Sequence, residues 1–119
     1  MRANPSDEGV HEWRKRAKDL WYDLRVLREL WPAVLGETAD QAHELADRLG
    51  DHHDLAVLGA DLETRDVTEP EAIRVLIERR QEELLASAVA LGERLYAEKP
   101  KAFGKRMKSY WKAARSVPA

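Results

Sequence analysis

The apolar residues near the start of this sequence recur every three or four positions, which is the spacing of one face of an α-helix. When the positions are projected at 100° per residue, these residues fall in one narrow sector. The members of this stripe are Trp13, Ala17, Leu20, Leu24, Leu27 and Trp31. Such a helix is stable when its stripe packs against another element, and no later segment has the alternation of a strand. The sequence therefore predicts an all-α fold.

Proline and capping residues divide the sequence into four predicted helices. These helices run from about Asp7 to Leu30, from about Ala39 to Thr64, from about Glu69 to Glu98 and from about Lys101 to Arg115. Pro32 is expected to end the first helix, and Thr38 is expected to cap the second. Thr68 and Glu71 have the spacing of a capping box before the third. Because the connections are short, we expect antiparallel neighbours in a four-helix bundle or a pair of helical hairpins.

Length and composition limit the class of protein. A chain of 119 residues suffices for one domain, which we expect to span 1–119 with short tails at 1–6 and 116–119. The absence of cysteine excludes a disulfide scaffold, a cysteine nucleophile and a thiolate zinc site. No apolar run is long enough to cross a bilayer, and the polar first residues are unlike a signal peptide. A cytoplasmic protein is therefore expected.

The charges are segregated along the chain, although the net charge is only −2. Residues 1–35 carry seven Lys or Arg and six Asp or Glu, whereas residues 36–98 carry six and sixteen. Residues 99–119 carry seven cations and no acid. An acidic middle between two basic ends favours a polyanion as partner.

Two predicted helices carry a basic stripe on the side away from their apolar stripe. On the first helix the stripe consists of His11, Arg14, Lys15, Lys18, Tyr22 and Arg25. On the fourth it consists of Lys101, Lys105, Lys108, Lys112 and Arg115. A helix built for stability alone would mix cations and carboxylates as i,i+4 pairs, so an anionic ligand is one explanation. A solvated surface is the other.

The pair His52 and His53, followed by Asp54, invites three interpretations. Such residues can bind a metal, but adjacent histidines on a helix point about 100° apart, and no HExxH motif is present. Either histidine can also pair with a carboxylate of a neighbouring helix, or contact a phosphate when protonated. We expect neither a metal nor a cofactor. Gly50, just before them, predicts a kink, a break or a close contact.

Three segments of the sequence together resemble the CHAD domain, the conserved histidine α-helical domain. The first is Val10–Lys18 followed by Tyr22, which fits Leu/Val-His-x-x-Arg-Lys-x-x-Lys. The second is Leu49–Leu58, which fits Leu-Gly-x-x-His-Asp-Leu-x-Val-Leu, and the third is Leu95–Phe103. They occur in the expected order and separation and cover most of the chain.

The resemblance implies a helical fold whose two similar four-helix halves enclose a basic cavity for inorganic polyphosphate. It also implies a CYTH-type triphosphatase domain as a partner and a location at polyphosphate granules. By resemblance, the polar positions of the family are His11, Arg14, Lys15, Lys18 and His53. The helical projection, rather than a motif, adds Arg25, Lys101, Lys105, Lys108 and Lys112 to the expected binding residues.

The chain departs from the family pattern in two ways. Trp21 stands where many members have an arginine, so one cation of this face is missing. The chain is also about half the length of the family domain, and Tyr22 and the His53–Asp54 pair resemble its second half. Either the chain is a fragment, or two copies pair as a homodimer and rebuild the two-half arrangement.

The sequence thus predicts non-catalytic binding of inorganic polyphosphate by a basic face of the first and fourth helices. One alternative is a metal-dependent phosphohydrolase, or a module accessory to one, with Asp51 and Asp54 as the only carboxylates beside the histidines. Another is a general anion-binding or nucleic-acid-binding module, against which the acidic middle argues. The last is a purely structural helical bundle.

Overall fold

The computed structural model describes residues 6–116. Four α-helices account for most of them: α1 (Asp7–Leu27), α2 (Pro32–Glu63), α3 (Pro70–Leu95) and α4 (Pro100–Ser116). A 3-10 turn, Arg28–Leu30, joins α1 to α2. Within residues 6–116 there is no strand, and the predicted all-α helical bundle is confirmed. None of these helices is long and apolar enough to pass through a membrane.

α1 begins where the sequence places it and ends three residues early. The Ser6 side chain accepts a hydrogen bond of 3.0 Å from the backbone N–H of Gly9. Asp7 and Glu8 lie in the first turn, where carboxylates stabilise the positive end of the helix dipole. The last predicted residues of this helix form the 3-10 turn instead.

The predicted start of α2 is wrong by seven residues. Trp31 adopts φ −162° and ψ 81°, which breaks the helical path, and Pro32 is the first residue of α2. Proline is tolerated there because that position needs no backbone N–H. Thr38 therefore does not cap the helix; it lies inside α2, where its hydroxyl lies 3.5 Å from the Val34 carbonyl oxygen. Gly50 lies in the continuous helix and causes no break.

The capping box predicted before α3 does not form. Glu69 precedes Pro70 in the left-handed region (φ 55°, ψ 56°), and no side chain caps the helix. Proline at the first helical position provides the start, as it does in α2. α3 ends at Leu95, three residues before the predicted end, and α4 starts at Pro100.

Two apolar clusters hold the helices together. The first joins α1, α2 and α3 through Val10, Ala17, Leu45, Ala46, Leu49, Ala88 and Leu91. The second consists of Leu24, Ala39 and Ala42, and Phe103 of α4 packs against it. The predicted core position of Trp31 is wrong, because its side chain is 47% exposed and its ring meets Tyr110 edge-on at 5.1 Å.

The described chain is elongated, with extents of 67 × 28 × 18 Å and a radius of gyration of 18.7 Å. A compact chain of this length would have a radius of gyration of about 13–14 Å. α2, whose 32 residues span about 48 Å, accounts for most of the 67 Å length. The last turns of α2 and the first turns of α3 extend past the start of α1. This projecting end exposes Val57, Leu58, Val75 and Leu76.

Candidate anion-binding site

α1 and α2 run antiparallel, and four pairs of residues fix their register along one side of the interface. These pairs are His11 with His53, Arg14 with Gly50, Trp21 with His43, and Arg28 with Gly36. The position numbers in each pair add up to 64, so the pairing is continuous. We call this side the basic seam: positions 11, 14, 18, 21, 25 and 28 of α1 and its 3-10 turn, and 36, 43, 50 and 53 of α2.

His11 and His53 stack at one end of the basic seam, with ring centroids 4.1 Å apart and planes 18° from parallel. The Nδ1 atom of His11 is buried and has no hydrogen-bond partner. Burial lowers the pKa of His11, and the nearby His53 and Lys15 lower it further. The lowered pKa of His11 favours its neutral form, and an anion close to the ring would favour the protonated form instead.

Arg14 lies against the backbone of α2 at Gly50. A Cβ atom at position 50 would lie 3.1 Å from the Arg14 Nε and 3.6 Å from its Cζ. The missing side chain therefore makes room for the guanidinium, and of the three expectations for Gly50 the structure shows the close contact. The Nε atom is buried without a hydrogen-bond partner, and Arg14 has no ion pair with any residue of the described range.

The other predicted cations of α1 differ in their contacts. Lys15 is exposed and donates a hydrogen bond of 3.0 Å to the Glu12 carboxylate, which lowers the pKa of Glu12. Lys18 is half-buried, and its spacing from Arg14 places it on the same side of α1. Arg25 is exposed, with its guanidinium carbon 5.1 Å from the centre of the Trp21 ring.

Trp21 occupies the middle of the basic seam. Its ring lies 4.4 Å from the ring of His43 and 4.9 Å from that of Tyr22. The Nδ1 atom of His43 is 3.5 Å from a carboxylate oxygen of Asp47, which places one acid beside the seam. The seam therefore has cations on both sides of an aromatic group.

Arg28 is a cation of the basic seam that the sequence prediction missed. A Cβ at Gly36 would lie 3.4 Å from Nη2 of Arg28 and 4.0 Å from its Cζ. The only sequence signal was spacing, since Arg28 follows Arg14 by two heptads, as Gly50 follows Gly36. In the structure each of these two arginines lies against one of the two glycines, Arg14 on Gly50 and Arg28 on Gly36.

The predicted cations of α4 lie on a different surface. α4 packs through Phe103, Met107 and Tyr110, and the lysines are exposed on the other side of the helix: Lys101, Lys105, Lys108 and Lys112. Arg106 lies on the packed side, where its guanidinium binds the Glu98 carboxylate and donates to the Tyr110 hydroxyl. The structure thus brings His11, Arg14 and His53 together and leaves the α4 lysines apart from them.

His52 points away from the basic seam. It is 4% exposed, and burial lowers its pKa. Its backbone carbonyl accepts a hydrogen bond of 3.3 Å from Gln81 of α3. Among the residues that the structure describes, no three His, Asp or Glu side chains are grouped so that they could hold a metal ion.

Comparison with known proteins identifies one family. A model of the CHAD domain family matches residues 1–63, which include all of α1 and α2 and therefore both sides of the basic seam. Searches of the curated proteins and of the solved structures gave no significant match.

Proposed function

The chain belongs to the CHAD domain family, and we propose that it binds inorganic polyphosphate, without chemical conversion, along the basic seam. CHAD domains are linked in general to polyphosphate binding. The matched segment includes every residue of the basic seam. Family membership indicates polyphosphate as the ligand, and the geometry of α1 and α2 supports the basic seam as the binding site.

The observation that carries this proposal is the unpaired guanidinium of Arg14. The side chain is partly buried and lies on Gly50, and its Nε has no acceptor. A buried donor without an acceptor is destabilising in general, and an anion that accepts hydrogen bonds from the Arg14 guanidinium relieves part of that cost. Phosphate oxygens suit this role, because the guanidinium can donate two parallel hydrogen bonds to one phosphate group.

The neighbouring residues fit the same ligand. Lys18 adds a mobile positive charge, and His11, stacked on His53, becomes a double donor when an anion stabilises its protonated state. Binding a polyanion releases its counterions, so the affinity should fall steeply as salt rises. The exposed lysines of α4 provide a second cationic surface that we expect to add to the attraction.

The test is calorimetric titration of the full chain with long-chain polyphosphate at two salt concentrations. The double variant Arg14→Glu/Lys18→Glu should lose most of the affinity, by more than about tenfold, because it reverses charge where the ligand is bound. The matched variant Lys105→Glu/Lys108→Glu changes the net charge equally on α4 and should lose less. Circular dichroism would establish that both variants fold.

Two outcomes would contradict the proposal. Failure of the wild-type chain to bind at low salt would remove the function itself. A larger loss in the α4 variant than in the α1 variant would place the site on α4.

We also propose that two copies of the chain form a homodimer through the projecting end of α2 and α3. The support is the exposure of Leu58 and Leu76, which are 44% and 62% exposed, in a molecule far longer than a compact chain. Exposed apolar groups clustered at one end are typical of an interaction surface.

A further inference from the structure

The basic seam contains two contacts of an arginine with a glycine of α2, one by the partly buried Arg14 and one by the exposed Arg28. Arg28 lies against Gly36 as Arg14 lies against Gly50, with guanidinium atoms 3.4 Å and 3.1 Å from the position that a Cβ would occupy. The two glycines lie on the same side of α2, because fourteen residues are close to four helical turns. Arg14 and Arg28 are separated by the same number of residues in the antiparallel direction.

Both arginines are free of carboxylates in a chain that has many. Within residues 6–116, neither Arg14 nor Arg28 has an ion pair. Five other arginines of the described range pair with carboxylates, and five more have no ion pair, as is the case for Arg14 and Arg28. The paired arginines are Arg48, Arg65, Arg74, Arg80 and Arg106. The guanidinium groups of the seam therefore remain available to an external anion.

We propose that Arg28, seated on Gly36, is a second anion clamp, and that Arg14 and Arg28 together hold one extended polyanion lengthwise along the basic seam. This inference rests on the proposed function and specifies its ligand. The clamps are separated by about 21 Å of helix. Lys18 and Arg25 lie between them, on either side of Trp21. A short phosphate chain reaches one clamp, whereas a long one reaches both.

The test compares tripolyphosphate with long-chain polyphosphate, titrated calorimetrically into the full chain at low salt. Arg28→Gln should weaken binding of the long chain about tenfold and leave tripolyphosphate within about twofold, because the short ligand is held at the Arg14 end. Arg14→Gln should weaken both ligands. Arg79→Gln on α3, which removes one exposed unpaired cation outside the seam, is the matched control and should change neither.

The outcomes separate this inference from the proposed function. If the wild-type chain binds long polyphosphate and Arg28→Gln binds it equally well, the second clamp is wrong and the function stands. Equal weakening of both ligands by Arg28→Gln would also overturn it, because Arg28 would then act on the site as a whole. If the wild-type chain binds neither ligand, the proposed function itself fails.

Discussion

Arg14 can lie against α2 because residue 50 has no side chain. Glycine inside a helix costs about 1 kcal/mol relative to alanine, since its backbone loses more freedom on folding. Gly50 lies within a continuous helix and its φ is ordinary, so no turn requires it there. Its effect is to leave space for the guanidinium of Arg14. If the proposed function holds, stability and binding oppose each other at this position.

Gly50→Ala should separate the two properties. The new Cβ would lie 3.1 Å from the Arg14 Nε and displace that side chain by a few tenths of an ångström or more. We expect the free energy of unfolding to rise by up to about 1 kcal/mol, because alanine favours the helix. We expect affinity for long-chain polyphosphate to fall about threefold to tenfold. Thermal unfolding and calorimetry measure the two effects, and unchanged affinity would show that the contact of Arg14 with Gly50 is unimportant for binding.

His52 and His11 make the stability of the free protein depend on pH. The pKa of each is lowered, mainly by burial. Below the ordinary histidine pKa of about 6.5, the unfolded chain therefore holds more protons than the folded one. The free energy of unfolding should therefore be highest above pH 6.5 and should decrease as the solution is acidified towards pH 5.5.

The variant His52→Gln tests the part of this pH dependence that arises at His52. Asp7, which raises the pKa of His52, and His53, which lowers it, are unchanged in the variant. Denaturant unfolding at pH 7.5 and 5.5 should give a smaller difference for the variant than for the wild type. Equal differences would show that burial of His52 does not control the acid sensitivity.

At the scale of elements, the sequence was sufficient where one apolar stripe decided the structure. The helical character of α1, its start and its buried residues Ala17 and Leu24 follow from the sequence, whereas its end at Leu27 does not. The start of α2 could not be predicted from the sequence, because a proline can follow the end of one helix or begin the next. In the structure the extended backbone of Trp31 ends the first helical segment, and Pro32 begins α2. A projection shows the faces of one helix only, so it cannot predict a contact between two helices such as that of Arg14 with Gly50.

The omission of Arg28 has a geometric reason. A projection at 100° per residue rotates positions seven apart by about 20°, whereas two packed helices keep such positions facing the same partner. On the projection Arg14, Trp21 and Arg28 therefore lie at different angles, whereas in the structure all three contact the same side of α2. The same drift separates Trp21 from the predicted basic stripe of α1, although its ring lies in the middle of the basic seam.

Charge is distributed unevenly among the helices of the molecule, since α2 carries eight acids and one arginine, α4 carries six cations and no acid, and α1 carries five of each. The acidic residues of the middle segment lie on α2, α3 and their connections, while α1 contributes most cations of the basic seam. Asp47, beside His43, shows that the acidic surface reaches the edge of the seam. Under the proposed function, the cations form a narrow line beside the acidic residues of α2, which favours a linear ligand over a duplex nucleic acid.

The shape of the chain makes the homodimer directly measurable. Scattering from a monomer would give a radius of gyration near the 18.7 Å of the isolated chain. We expect light scattering at micromolar concentration to give twice the mass of 13.6 kDa, because pairing covers the apolar residues of the projecting end. The double variant Leu58→Glu/Leu76→Glu should be a monomer, since it places charges in that interface.

Val26→Glu provides the matched control for the dimer. Val26 is 73% exposed, but it lies on α1, away from the projecting end. Its charge variant should remain dimeric if α2 and α3 form the interface. A monomeric wild type at high micromolar concentration would refute the dimer, and a monomer formed only by Val26→Glu would move the interface to α1. In that second case the dimer would lie beside the basic seam, and polyphosphate affinity would depend on protein concentration.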